Sequence, residues 1–284
     1  MRQLRVADGP IEVVLLPDAG ARIHRLRAFG HDLLRTPSDP AQHLWDPFFW
    51  GAYVMAPWCN RLATTPTRVG DQVVRLDPNF PDGTAIHGQV SSASWMVEEE
   101  GATCGIRAGG DGWPWRYACR LALSVEATTV RVSLSLTNLA DAPMPGGLGL
   151  HPWWRRPLRV ALPARAVYPS NLDPSPAAVA VEGIHDLRSL AEPAIGLDAT
   201  WTALDGPITL EWPELDVTAT LKLAGTADHV VVATPEQPDA TAVEPQTHAP
   251  DGLRRLLAGL PGGMRLIGPG ERLEMGLALT LRTS

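Results

Sequence analysis

The sequence predicts an all-β fold, a large antiparallel β-sandwich with few short helices, and three observations carry that prediction. Clean two-residue alternation runs through Val130, Val132, Leu134 and Leu136, and again through Leu273, Met275, Leu277, Leu279 and Leu281. Turn chemistry separates such stretches at short intervals, as in Asp82-Gly83, Gly109-Gly110-Asp111-Gly112 and Pro261-Gly262-Gly263. Strands recur without intervening helical periods, which disfavours βαβ units and favours stacked antiparallel sheets.

In chain order, Ile11–Leu16 is the first strand signal, followed by a weaker one at Val73–Leu76. Leu121–Val125 and Thr128–Leu136 come next; in the second, Thr129, Arg131, Ser133 and Ser135 make the polar face. Leu215–Leu223 and Val230–Val232 precede the C-terminal strand, which begins at Leu273. Asp251–Leu260 has helical spacing, with Leu253, Leu256, Leu257 and Leu260 on one face and Gly262 beyond to stop it. Two proline-bearing patches, Arg35–Trp50 and Tyr168–Leu197, interrupt the pattern and read as functional loops able to wall in a sheet face. Trp45, Phe48, Phe49 and Trp50 predict that the first patch is packed down. There is no internal repeat and no linker, so residues 1–284 are expected to form a single β-sandwich domain.

Composition narrows the partners. A formal charge of −7, with no concentrated basic stripe, argues against nucleic acid. No stretch is apolar enough to cross a bilayer, and Met1–Asp8 lacks the apolar block of a signal peptide. Cys59, Cys104 and Cys119 are odd in number and lack metal-ligand spacing, so they read as reduced thiols of a cytoplasmic protein. Ten tryptophans supply flat apolar faces suited to a sugar ring or to an ordinary core.

Polar islands inside apolar surroundings carry the candidate chemistry. In Ala56-Pro57-Trp58-Cys59-Asn60-Arg61-Leu62, Arg61 is either a surface cation or a planar donor fork for hydroxyls. In Ile86-His87-Gly88 the glycine lets another group approach closely, and His87 is either structural or functional. In Gly146–Trp154, His151 precedes Pro152, so its backbone is extended and its imidazole is expected to project from a strand end. Asp198 caps a turn or binds hydroxyls. Glu244 precedes Pro245, which is expected to end a regular ladder there and leave the carboxylate facing a cavity or solvent. Phosphate loops, the Gly-x-Ser-x-Gly elbow and the zinc-protease His-Glu-x-x-His pattern do not occur.

Taken in order, Asn60-Arg61, His87-Gly88 with Trp95, the Gly-Leu-Gly-Leu-His151-Pro-Trp-Trp block, Leu197-Asp198 and Val243-Glu244-Pro-Gln-Thr resemble the aldose 1-epimerase (galactose mutarotase) family. The resemblance spans roughly residues 55 to 250. It implies the family's mutarotase-type supersandwich and an isomerase that interconverts the anomers of a free hexose. It further implies His151 as general acid and Glu244 as general base, with Arg61, His87, Asp198 and Asn60 on the substrate. Neither cofactor nor metal is implied, and the expected partner is a small sugar, met by a monomer or homodimer. Trp153-Trp154 departs from the family's usual aromatic-Phe continuation of the His-Pro block. The rival expectations are a hexose-6-phosphate 1-epimerase, a non-catalytic sugar-binding protein and a glycosidase using Asp198 with Glu244. The first needs extra basic residues near the cleft, for which Arg22, Arg25, Arg68, Arg155 and Arg156 are available.

Overall fold

The computed structural model describes residues 1–98, 102–172 and 175–283. Part of the Tyr168–Leu197 patch, residues 173 and 174, lies outside the described residues. Two antiparallel sheets dominate. The eleven-stranded sheet runs Leu4–Asp8, Ile11–Leu16, Arg22–Ala28, Ala52–Met55, Gly149–Arg155, Ala240–Gln246, His229–Ala233, Asp198–Leu204, Ala164–Tyr168 and Val179–Ala180, with His31–Asp32 attached to Arg22–Ala28. The eight-stranded sheet runs Met96–Val97, Ala102–Ala108, Tyr117–Glu126, Thr129–Asn138, Arg272–Thr283, Val217–Gly225, Ile208–Trp212 and Arg159–Ala161.

Strand alternation decides how the sheets meet. Leu134 faces Met275 and Leu121 within the second sheet, and all three are buried, while Ser133 and Ser135 point the other way. In the first sheet Leu150, Pro152 and Trp154 point towards Val132, Leu277 and Leu279 of the second. One hydrophobic cluster, containing Leu15, Val54, Leu150, Leu134 and Leu279, therefore fills the space between the sheets. The odd-numbered residues of Gly149–Arg155 must then face away from that core, and His151 and Trp153 do. A second, smaller cluster of Tyr53, Met55, Cys59, Trp153, Ala240 and Ala242 lies on this far face.

Strands form at the stretches expected from alternation, and the structure adds others that carried no such signal, among them Arg22–Ala28, Ala52–Met55, Ala164–Tyr168 and Ile208–Trp212. The helix is Gly252–Ala258, closed by Gly259 at φ 65°; Leu253 is buried, but Leu257 and Leu260 face solvent. Trp45 is 87% exposed, although Pro37 and His43 of the same patch are buried and residues 46–50 are half-buried. Pro245 does not end its ladder. Val230 pairs with Pro245 and His229 with Gln246, so Glu244 lies inside a strand and not at its end. His151 likewise sits inside Gly149–Arg155. Cys59, Cys104 and Cys119 are free and buried. Among the described residues no helix is long and apolar enough to cross a membrane.

Candidate active site

Register brings the two best acid–base candidates together. Gly149 pairs with Gln246 and Trp153 with Ala242, which places His151 directly opposite Glu244 between them. Thr247 N donates to Leu148 O, so the hydrogen-bonded positions in this pair of strands are occupied by Pro245 and Pro152. Each proline removes one ladder bond. His151 and Glu244 thus take the closer, non-hydrogen-bonded type of position, with side chains on the same face. The row continues on both sides: Tyr53 opposite His151, and Val231 opposite Glu244. A parallel row holds Trp153, Ala242, Ala233 and Asp198. Its two alanines leave a hollow between Trp153 and Asp198.

His151 Nε2 lies 3.1 Å from Glu244 Oε1, and both residues are buried. Burial is the main influence on each. It pushes the imidazole pKa well down, helped by His87 and Arg22, and the carboxyl pKa well up, helped by Asp198 and opposed by Arg61. Both shifts favour neutral groups, so the free pair is best described as one proton shared between carboxyl and imidazole. Among the described residues Glu244 Oε2 and His151 Nδ1 have no hydrogen-bond partner.

The remaining groups are held by a small strained corner. Arg61 pairs with Ile86 in a two-residue ladder, flanked by Asn60 at φ 57° and His87 at φ 61°. His87 N donates to Asn60 O at 3.1 Å, and Asn60 N donates back to His87 Nδ1 at 3.3 Å. Because Nδ1 accepts, this network puts the imidazole proton on Nε2. Burial pushes the His87 pKa to about 3, so the ring is neutral. Arg61 Nε donates to Asp82 at 2.7 Å and its Nη1 to Asp198 at 3.4 Å. Asp198 also accepts from Asn171 Nδ2 at 2.5 Å, and Asn171 is steadied by Thr200 Oγ1 at 2.6 Å. Asn60 spends its side-chain oxygen on Arg61 N, at 2.8 Å, which shapes the corner.

All six residues singled out in the sequence, Asn60, Arg61, His87, His151, Asp198 and Glu244, line one cavity of about 310 Å³. Its walls are aromatic: Phe48 and Phe49 from the 35–50 patch, Phe80, Tyr53 and Trp153. His87, His151 and Glu244 offer ligand atoms within 4.8 Å of one another, a grouping capable of holding a metal ion. The tautomer of His87 opposes that use, since its Nε2 carries a proton when Nδ1 accepts from Asn60.

Sequence reasoning missed Tyr53, Asp82, Asn171 and Gln237. Asp82 carried only a turn signal, and it is both a turn residue, accepting from Thr84 N, and the first partner of Arg61. Tyr53, Asn171 and Gln237 have no local signature, because only cross-strand register or a turn brings them to the cavity. Two glycines of the His151 island serve protein packing. A Cβ on Gly147 would lie 2.3 Å from His248 Cδ2, and one on Gly149 would lie 2.4 Å from Met55 Cε. His248 is structural, accepting from Cys59 N and bonded to Ala249 O.

Two large antiparallel sheets packed face to face match the galactose mutarotase-like fold. Solved structures agree. A GalM/aldose epimerase homologue from C. elegans superposes with a TM-score of 0.85 at 15% identity, covering 99% of both chains. A galactose mutarotase-like protein from Clostridium acetobutylicum gives 0.84 at 17% identity, covering 99% of this chain and 95% of its own. At these identities the likeness establishes the fold. No curated protein sequence matches significantly. The aldose 1-epimerase family model matches residues 2–255, and the chain belongs to that family.

Proposed function

We propose that the protein is an aldose 1-epimerase, interconverting the α and β anomers of a free hexose. The observation that carries this is the 3.1 Å approach of His151 Nε2 to Glu244 Oε1 on the wall of a cavity of about 310 Å³. Anomer exchange needs a base at O1 and an acid at the ring oxygen, with no redox change. In the working form Glu244 is the carboxylate and His151 the imidazolium, reached from the neutral pair by moving one proton across that contact. A sugar hydroxyl in place of the contact stabilises the charged form.

Glu244 then takes the O1 proton while His151 gives its Nε2 proton to O5. The C1–O5 bond breaks, and the open chain holds an aldehyde at C1 and a hydroxyl at C5. Rotation about C1–C2 and the reverse transfers close the ring on the other face. Arg61, His87, Asp198 and Asn60 hold and frame the sugar, His87 donating from Nε2 and Asp198 accepting.

The cavity lining favours an unphosphorylated sugar. Arg61 is its sole cationic lysine or arginine among the described residues, and two carboxylates already engage it. The close acid–base pair favours catalysis over binding alone. The three buried free thiols accord with a cytoplasmic protein. Polarimetry on freshly dissolved α-D-glucose and α-D-galactose tests the assignment. Glu244→Gln and His151→Asn are each expected to lower the acceleration by about 10²- to 10⁴-fold. Acceleration unchanged in both variants rules the assignment out.

A further inference from the structure

Tyr53 is fully buried, lines the cavity, and its hydroxyl has no hydrogen-bond partner among the described residues. A buried hydroxyl left unpaired destabilises a fold, and phenylalanine would fill the same space without that penalty. The ring is held on both faces. On one side it stacks on His151, with centroids 4.5 Å apart and planes inclined by 28°. On the other, the Arg22 guanidinium sits 4.8 Å from its centroid. Arg22 is itself immobilised, donating to the carbonyls of Trp50 at 2.7 Å, Pro47 at 2.5 Å and Ser91 at 3.1 Å. The phenol is therefore rigidly placed. Burial first, and Glu244 second, raise its pKa well above the ordinary value despite Arg22, so it keeps its proton and can only donate or accept as a neutral group.

Position in the sheet says what it meets. Glu244, His151 and Tyr53 stand side by side on three adjacent strands, in one transverse row. On the epimerase reading, on which this inference rests, Glu244 serves O1 and His151 serves O5. The next substituent along that edge of a pyranose is the hydroxymethyl group on C5. We propose that Tyr53 is a further substrate-binding residue, its hydroxyl donating to the C6 oxygen of a hexose. The site then selects aldohexoses over 6-deoxyhexoses, which lack that oxygen. Wall residue Phe48 has its ring 6.2 Å from that of Tyr53.

The test compares D-galactose with 6-deoxy-D-galactose in wild type and Tyr53→Phe, by polarimetric kcat/KM. The wild type is expected to prefer galactose by roughly 10- to 100-fold, the range of one lost hydrogen bond to a buried group. Tyr53→Phe keeps the stacked ring and is expected to bring that ratio to within about threefold, through loss on galactose alone. A wild-type ratio near one, or a ratio unchanged in Tyr53→Phe, overturns the proposal while the epimerase assignment stands. Absence of acceleration on both sugars in the wild type instead defeats the epimerase assignment. In that event the ratio of Kd values, from tryptophan fluorescence quenching, decides about Tyr53 by the same criteria. A melting temperature of Tyr53→Phe equal to or above wild type shows that the change is not a folding defect.

Discussion

Lowering the pH from 7 to 5 should destabilise the fold through histidines that are buried in neutral form. His43, His87 and His248 are at most 6% exposed, and burial pushes their pKa values to about 3, 3 and 4. An unfolded histidine titrates near 6.5. Each folded value lies below that, so the unfolded chain binds a proton the folded chain refuses. Stability is complete above pH 6.5 and is lost as the pH falls towards the folded values. At pH 5 the loss is about 2 kcal/mol for each group, or about 6 kcal/mol for the three. His151 adds to it with the same sign, while Glu244, whose pKa is raised, acts oppositely. A loss of that size is a large share of the roughly 5–15 kcal/mol that stabilises an ordinary fold. Urea unfolding followed by tryptophan fluorescence at several pH values between 5 and 7.5 measures it. His248→Gln should lower the slope of stability against pH by about a third, whatever it does to stability at neutral pH. A fall of less than about 1 kcal/mol between pH 7 and 5, or a slope unchanged in His248→Gln, would refute the reasoning.

Three further outcomes follow from single contacts. Glu244→Gln should unfold at higher urea than wild type at pH 8, although inactive, because it removes a carboxylate that burial holds against ionisation; equal or lower stability counts against that picture. Arg61→Lys loses the planar fork that spans Asp82 and Asp198, so KM for hexose should rise about tenfold with kcat changing less, as read by polarimetry. Gly147→Ala drives a methyl group into the His248 ring and should cost about 1–3 kcal/mol in urea unfolding, with the Cys59–His248 bond weakened.

Much of the fold was legible because alternation is local. The pairs Val130–Leu136 and Leu273–Leu281 show their inner faces in the sequence, and they pair with each other in the second sheet. The islands around Asn60, His87, His151, Asp198 and Glu244 were also visible, since motif order survives in a linear string. Local reasoning failed where a proline or an aromatic residue behaves according to its surroundings. Pro245 and Pro152 were expected to end or edge their strands, yet both sit inside ladders whose other bonds hold the strands in place. Trp45 was expected to pack and stands in solvent.

From sequence alone come the all-β class, the absence of a basic stripe and the kinds of side chain available for acid–base work. Register belongs to tertiary structure, because it is set by strands nearly a hundred residues apart closing on a shared core. A shift by one residue would turn His151 inward to the leucines and Trp154 outward to the cavity. The same closure stacks Tyr53 between His151 and Arg22, and joins Arg61 to both Asp82 and Asp198. None of those contacts has a local pattern, since each depends on which strands become neighbours and how they are aligned.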